Sequence, residues 1–157
     1  MGLEEAAGAD VIVVLEKPGT IEVRGLLAER DDYFDRLYAR EKGSGRPANL
    51  QSNDTGFFSV RVAGALVGCG ALIRHSDYGE LKRFYIRESF RGRGLGRRLL
   101  DAVVSHAHGL GCRVLKLETG VRQPAAIAFY RSAGFRETAC FGEYRPDPLS
   151  IFMERTL

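Results

Sequence analysis

The chain is short of cysteine, of histidine and of long apolar runs. Cys69, Cys112 and Cys140 are odd in number and scattered, with no Cys-x-x-Cys pair. They offer no disulfide framework and read as reduced, mostly buried thiols of a cytoplasmic protein. His106, His108 and Cys112 lie close in sequence. Two histidines two apart on a helix face different ways and cannot both grip one ion well, so no metal is expected. No apolar run reaches the roughly 20 residues of a membrane-spanning helix, and no membrane partner is expected. The first residues are acidic and Ala-rich, without the basic start of a secretory signal. Internal repeats and low-complexity segments are absent. Net charge is only +3, too mild to argue for a nucleic-acid partner.

What is present is an ordinary globular composition. With 157 residues, 45% hydrophobic and 27% charged, the chain is long enough to bury one core. A single domain over 1–157 is expected, with residues 1–9 loose. The arginine excess is clustered: Arg91, Arg93, Arg97 and Arg98 flank Gly92, Gly94 and Gly96. That suits a phosphorylated cofactor better than a long polyanion.

The same stretch organises the rest. Glu80 to Ile86 reads as a strand. Leu95, Leu99, Leu100, Val103, Val104 and Ala107 recur at helical spacing and form one apolar stripe. Between them lies the glycine loop. Glycine lets an anion approach the backbone closely. The first helical turn presents unpartnered N–H groups at the positive end of the helix dipole. Strand, glycine loop and helix start therefore make a phosphate site, strengthened by arginine. On glycine spacing alone, a tight turn with a solvated basic rim fits as well. A Walker loop needs Gly-Lys-Ser/Thr, which does not occur. A Rossmann fingerprint needs G-x-G-x-x-G, whereas these glycines alternate evenly.

The pattern that fits is Arg91-x-x-Gly94-x-Gly96, followed by a helix and a strand over Val114–Glu118. A second helix begins at Gln123-Pro-Ala-Ala-Ile-Ala-Phe-Tyr130, and Gly134-Phe135 closes it. This order resembles the GNAT acetyltransferase superfamily, well from about Gly56 to Leu157 and less before. Gln123 stands where that family often has Asn; it keeps an amide donor and acceptor but is one methylene longer. The resemblance implies an α/β fold with a mixed, mostly antiparallel central sheet flanked by helices. It also implies a bulged central strand that splays from the next, with the pantetheine arm of acetyl-CoA inserted in the V. The cofactor-binding residues it implies are Phe84, Tyr85, Ile86, Arg91, Gly92, Arg93, Gly94, Leu95, Gly96, Arg97, Gln123, Ala126, Phe129 and Tyr130.

Elsewhere, local signals suffice for a coarse map. Val11 to Leu15 is a strand. Thr20 caps a helix through Glu22 to Glu29, and Asp31 or Asp32 caps a second carrying Phe34, Leu37 and Tyr38. Lys42 to Pro47 is a loop. Phe57–Val62 and Ala65–Arg74 form a hairpin about Ala63-Gly64. Gly68 and Gly70 in its second strand suggest a bulge or a close neighbour. In the Glu80 strand, Leu81, Arg83 and Tyr85 fall on one face and Phe84 and Ile86 on the other, an imperfect alternation that a bulge would explain. Gly109 and Gly111 stop the long helix, and Pro124 suits a first helical turn. Phe135–Phe141 and Ser150–Glu154 read as closing strands around a loop at Gly142–Leu149.

Acetyl transfer to an amine needs a neutral amine, a polarised thioester carbonyl and a proton for the departing thiolate. The resemblance places Tyr130 beside the cofactor sulfur as the proton donor; packing against Phe129 and Ile127 is the plainer reading of the same residue. Glu80 and Glu118 are candidate general bases, each equally readable as a solvated strand-end carboxylate. Backbone N–H groups near Phe84–Ile86 could polarise the carbonyl. Tyr33, Tyr38, Arg40 and Tyr144 are candidate acceptor contacts, with loop-surface roles as the alternative. Three functions remain open: acetylation of a small-molecule or amino-acid-like amine, acetylation of protein Lys or N-termini, and a non-catalytic module binding acyl-CoA or nucleic acid. The intact glycine loop and Tyr130 favour an enzyme. Selectivity for the acceptor is expected from the two N-terminal helices, the Lys42–Asp54 loop and Gly142–Pro148, and the loops before the core and between the last strands, long enough to close a pocket, favour a small acceptor. A homodimer is compatible with this reading.

Overall fold

The computed structural model describes residues 10–38 and 49–157; the expected loose N-terminus, Arg40 and the Lys42–Pro47 loop lie outside the described residues. Strand β1 (Val11–Leu15) leads to helix α1 (Ile21–Tyr38). A meander of β2 (Thr55–Val62), β3 (Ala65–Arg74) and β4 (Gly79–Ile86) follows. After a short 3₁₀ turn come α2 (Leu95–Gly109), β5 (Val114–Gly120), α3 (Pro124–Ser132), β6 (Arg136–Thr138) and β7 (Ser150–Thr156). The strands make one sheet in the order β1-β2-β3-β4-β5-β7-β6. All neighbours run antiparallel except β4 and β5, which pair in parallel only from Gly79 to Leu81 against Leu115 to Leu117. Beyond those pairs the two strands part. The expected mixed, mostly antiparallel sheet with a splayed pair is the one observed.

One core lies under α2 and α3, around Leu81, Leu99, Leu100, Val103, Leu115, Leu117 and Met153. The opposite face of β2–β4 is covered by α1 through Val23 and Leu26, against Phe57, Cys69, Ala71 and Tyr85. Thr20 caps α1 by accepting the Val23 N–H at 3.2 Å. The expected break at Asp31 does not occur, and α1 runs unbroken to Tyr38. Asp is a mediocre helix former but not a breaker. Val23, Leu26, Phe34 and Tyr38 continue one face across it, so tertiary burial carries the helix through.

The bulge in β4 is present, and it corrects the alternation read from the sequence. Cys69 opposes Tyr85 and Ala71 opposes Lys82, so Gly70 faces both Arg83 and Phe84. Arg83 takes a positive φ of 59°, and its carbonyl accepts the Cys69 thiol at 3.4 Å. After this extra residue, Leu81, Phe84 and Ile86 share the α2 side, while Tyr85 faces α1. The β3 glycines make the exchange possible. A Cβ on Gly70 would lie 2.7 Å from the Phe84 ring, and one on Gly68 would collide with Ile86.

Both later helices end in a Schellman turn. After α2, Gly111 at φ 78° lets the Cys112 N–H reach the Ala107 carbonyl at 3.0 Å. After α3, Gly134 at φ 92° lets the Phe135 N–H reach the Tyr130 carbonyl at 3.0 Å. Phe135 then stacks edge-on against Tyr130 at 5.6 Å between centroids. The helix stop thus fixes the position of Tyr130.

Candidate active site

The glycine loop joins the splayed strand to α2. Gly92 and Gly94 adopt left-handed φ values of 75° and 77°, and a Cβ on either would meet nothing within 4 Å. Gly94 occupies the N-cap of α2 with no side-chain cap, so no side chain competes for the first-turn N–H groups. Gly96 lies under the Phe129 ring, where a Cβ would sit 3.7 Å away. An open, left-handed glycine loop on an uncapped helix start fits a pyrophosphate. Arg91 braces this loop: its Nε donates to the Ile86 carbonyl at 2.7 Å, and its guanidinium lies over Tyr33 at 4.8 Å. Arg93 lies over Phe90 and Arg97 pairs with Asp101, so both sit on the exposed rim.

Tyr130 packs among Phe84, Phe129 and Phe135 and is 8% exposed. Burial pushes its hydroxyl above the usual tyrosine range. It therefore keeps its proton throughout the physiological range.

Glu80, where β4 and β5 still pair, is 4% exposed and bonded through both oxygens. His75 Nε2 lies 2.9 Å from Oε1, and the Tyr144 hydroxyl donates to Oε2 at 2.7 Å. Lys82 Nζ stands 3.8 Å from Oε2, and burial lowers its affinity for a proton despite Glu80. Tyr144 arrives from the Gly142–Leu149 loop and packs on Phe141 and Phe152. Its hydroxyl is pushed well above the tyrosine range, first by burial and then by its bond to Glu80. Glu118, on the adjacent strand, accepts Ser150 Oγ at 2.9 Å.

A family model described as the acetyltransferase (GNAT) family matches residues 23–135. The chain belongs to the GNAT acetyltransferase family. It is 40% identical over 153 residues to the IAA acetyltransferase of Azospirillum brasilense, covering 94% of this chain and 99% of that one. Among solved structures it resembles a Klebsiella pneumoniae protein proposed to be an acyl-CoA N-acyltransferase. The TM-score there is 0.81 at 35% identity, over 94% and 97% of the two chains. An N-acetyltransferase from Thermoplasma acidophilum, solved with coenzyme A, shares the fold with a TM-score of 0.71 at 17% identity, over 93% and 99%.

In this acetyltransferase the expected site residues do not all gather at one place. Tyr144 joins Glu80. Tyr33 instead sits with Arg91 and Tyr85 beside the glycine loop. Tyr38 is buried, accepts the Gln123 Nε2–H at 3.2 Å, and lies so close over Gly120 that a Cβ there would overlap it. Gln123 thus spends an amide proton on α1. No sequence pattern pointed to His75; the turn between β3 and β4 folds it back toward Glu80, and the two rings of His75 and Tyr78 stack at 4.6 Å.

The buried hydroxyls and thiol make the acetyltransferase sensitive to alkali. Burial raises the Cys69 thiol from 9.0 to about 12, and Tyr130 and Tyr144 are raised from 10.0. The unfolded chain therefore releases these protons first, from about pH 9. Stability is complete below that pH and falls as pH rises through the window above it. Urea midpoints should drop steadily between about pH 9 and 11, and Cys69→Ala should flatten the lower part of that slope. A midpoint independent of pH across the window would refute the assignment.

Proposed function

We propose that this enzyme transfers an acetyl group from acetyl-CoA to the neutral amine of a small molecule by direct attack. The observation that carries the reading is the parting of β4 from β5 just past Leu81 and Leu117, with Glu80 on the paired stretch and Tyr130 packed on Phe84 beyond it. The first-turn N–H groups at Gly94–Gly96 would hold the pyrophosphate, with Arg91 keeping the loop in place. Phe129 and Ala126 line the arm, and Gln123, tied to Tyr38, positions its amides. When bound, acetyl-CoA supplies an activated acetyl thioester. Backbone N–H groups of the bulged β4 segment near Phe84–Ile86 would polarise its carbonyl.

Glu80 takes the amine proton, directly or through one water. A carboxylate has about four lone-pair positions, so the bonds from His75 and Tyr144 leave room for that proton. His75, with a side chain 38% exposed, passes it on to solvent. With the cofactor bound, Tyr130 would be the residue that donates a hydrogen bond or proton to the departing sulfur. Its raised affinity for a proton makes full transfer less favourable than for an ordinary tyrosine, so much of its effect is a strong hydrogen bond to the developing charge.

A small acceptor is favoured over a polypeptide because the Gly142–Leu149 loop bends across the sheet and Tyr144 covers Glu80. The likeness to the Azospirillum IAA acetyltransferase supports the same choice. Thiol release from acetyl-CoA over a panel of small amines and peptides tests it. Turnover of peptides alone would replace it with protein acetylation. The cofactor assignment has its own test: Gly94→Val should lower CoA affinity at least tenfold by calorimetry, with the circular dichroism of a folded protein. Unchanged affinity in a folded variant would remove the loop from the cofactor site.

A further inference from the structure

A cationic pair lies beside this acceptor site and has too few acids to balance it. Arg30 projects from α1 with a side chain only 17% exposed. Its Nε is buried with no hydrogen-bond partner among the described residues. Its acidic neighbour Asp31, 3.1 Å away, is itself 62% exposed and so mostly answers to solvent. The Arg30 guanidinium lies over Phe34 at 4.5 Å. Burial first, then the positive charge of Arg83, weakens the hold of Arg30 on its proton. Arg83 is the strained residue of the β4 bulge, at φ 59°. Among the described residues its side chain makes no ion pair; only its carbonyl is engaged, by Cys69.

Two neighbouring guanidiniums, one of them mostly desolvated, are unfavourable unless an anion joins them. Their location says what the anion belongs to. Arg83 follows Glu80 by three positions on β4, and Glu80 is bonded to Tyr144; Arg30 lies one helical turn past Leu26, which packs with the Cys69 whose thiol reaches the Arg83 carbonyl. The pair therefore lies on the α1 side of β4, beside Glu80 and Tyr144. Keeping a bulky residue at positive φ is costly, and such strain persists where surrounding structure or function maintains it.

We infer that the acceptor carries a carboxylate as well as its amine, and that Arg30 and Arg83 hold that carboxylate while the amine lies toward Glu80. The inference rests on the acetyl-transfer reading of the site. The planar fork of arginine matches a carboxylate in bidentate fashion. Glu80 and Glu118 stand close by, so a single negative charge is tolerated better than the double charge of a phosphate.

Binding without turnover tests it. The probes are N-acetylamino acids with small, aliphatic, aromatic and basic side chains, each paired with its N-acetylamino acid amide and titrated by calorimetry in the presence of CoA. In the parent, at least one carboxylate should bind about 10- to 100-fold more tightly than its amide. Arg83→Gln should bring the two to the same affinity, and Arg83→Lys should recover part of the difference. Arg83 is only partly buried, so this variant avoids the folding risk of replacing Arg30. The inference is overturned if no carboxylate outcompetes its amide, or if Arg83→Gln keeps the preference. Thiol-release assays separate this outcome from the underlying reading. Amines acetylated equally well with and without a carboxylate leave acetyl transfer standing and remove the carboxylate site. Carboxylate binding lost in Arg83→Gln, with no thiol release from any amine, supports the anion site and removes acetyl transfer.

Discussion

Tyr130→Phe is expected to lower kcat by about 10²–10⁴-fold while leaving acetyl-CoA affinity close to that of the parent. The ring makes the packing contacts, with Phe84, Phe129 and Phe135, and phenylalanine keeps all of them. Thermal stability at neutral pH should therefore change little. Only the hydroxyl is lost, and in the proposed mechanism it matters most as charge develops on sulfur, so the loss should fall on turnover rather than on binding. A Phe variant with the parent kcat would make Tyr130 a packing residue and leave water as the acid. A variant with weakened CoA binding and intact turnover would make the hydroxyl a positioning group.

Glu80→Gln is expected to cost a comparable factor in kcat/KM, about 10²–10⁴-fold, or roughly 3–5 kcal/mol of transition-state stabilisation. Gln fills the same space and can still bond Tyr144 and His75, but it cannot accept the amine proton. The rate should then recover only as pH rises and the free amine becomes abundant. Glu118→Gln is the control: its carboxylate accepts Ser150 and stands on the neighbouring strand, and less than a tenfold change is expected. A Glu80→Gln enzyme with the parent pH–rate profile would remove Glu80 from the proton path. A steep loss in Glu118→Gln alone would transfer the role there.

Much of this molecule is written locally in the chain. The glycine loop, the apolar stripe of α2, the Pro124 start and Gly134 stop of α3 and the β2–β3 turn are each short-range signals. Their observed positions agree with the sequence to within a few residues. The family order of those pieces carried the fold. What stayed hidden depends on partners distant in sequence. The continuity of α1 past Asp31 is decided by the sheet beneath it, not by Asp itself. Tyr38 read as an acceptor contact, yet it is buried between Gly120 and Gln123, more than eighty positions along the chain. Tyr33 is drawn to Arg91 by a cation–π contact that no local pattern announces. His75 and Tyr144 become interesting only once both are seen on the two oxygens of Glu80. Arg30 looks like any charged helix residue until its buried Nε, without a hydrogen-bond partner among the described residues, is visible.

The extra residue at Arg83 divides β4 into two segments of opposite parity. Up to Lys82, even-numbered positions face α1; from Phe84 onward, odd-numbered ones do. Side-chain replacement in this strand therefore alters one contact at a time, whereas a change in length is global. Deleting any one residue between Glu80 and Arg83, with the Tyr85 end held in register, would swap the destinations of the side chains before the gap. Held at the Glu80 end instead, the same deletion would send Tyr85 toward Tyr130 and Phe84 toward α1. The strand is thus tolerant of spelling but not of spacing, and its residue count is as much a part of the proposed acetyl-transfer site as any side chain on it.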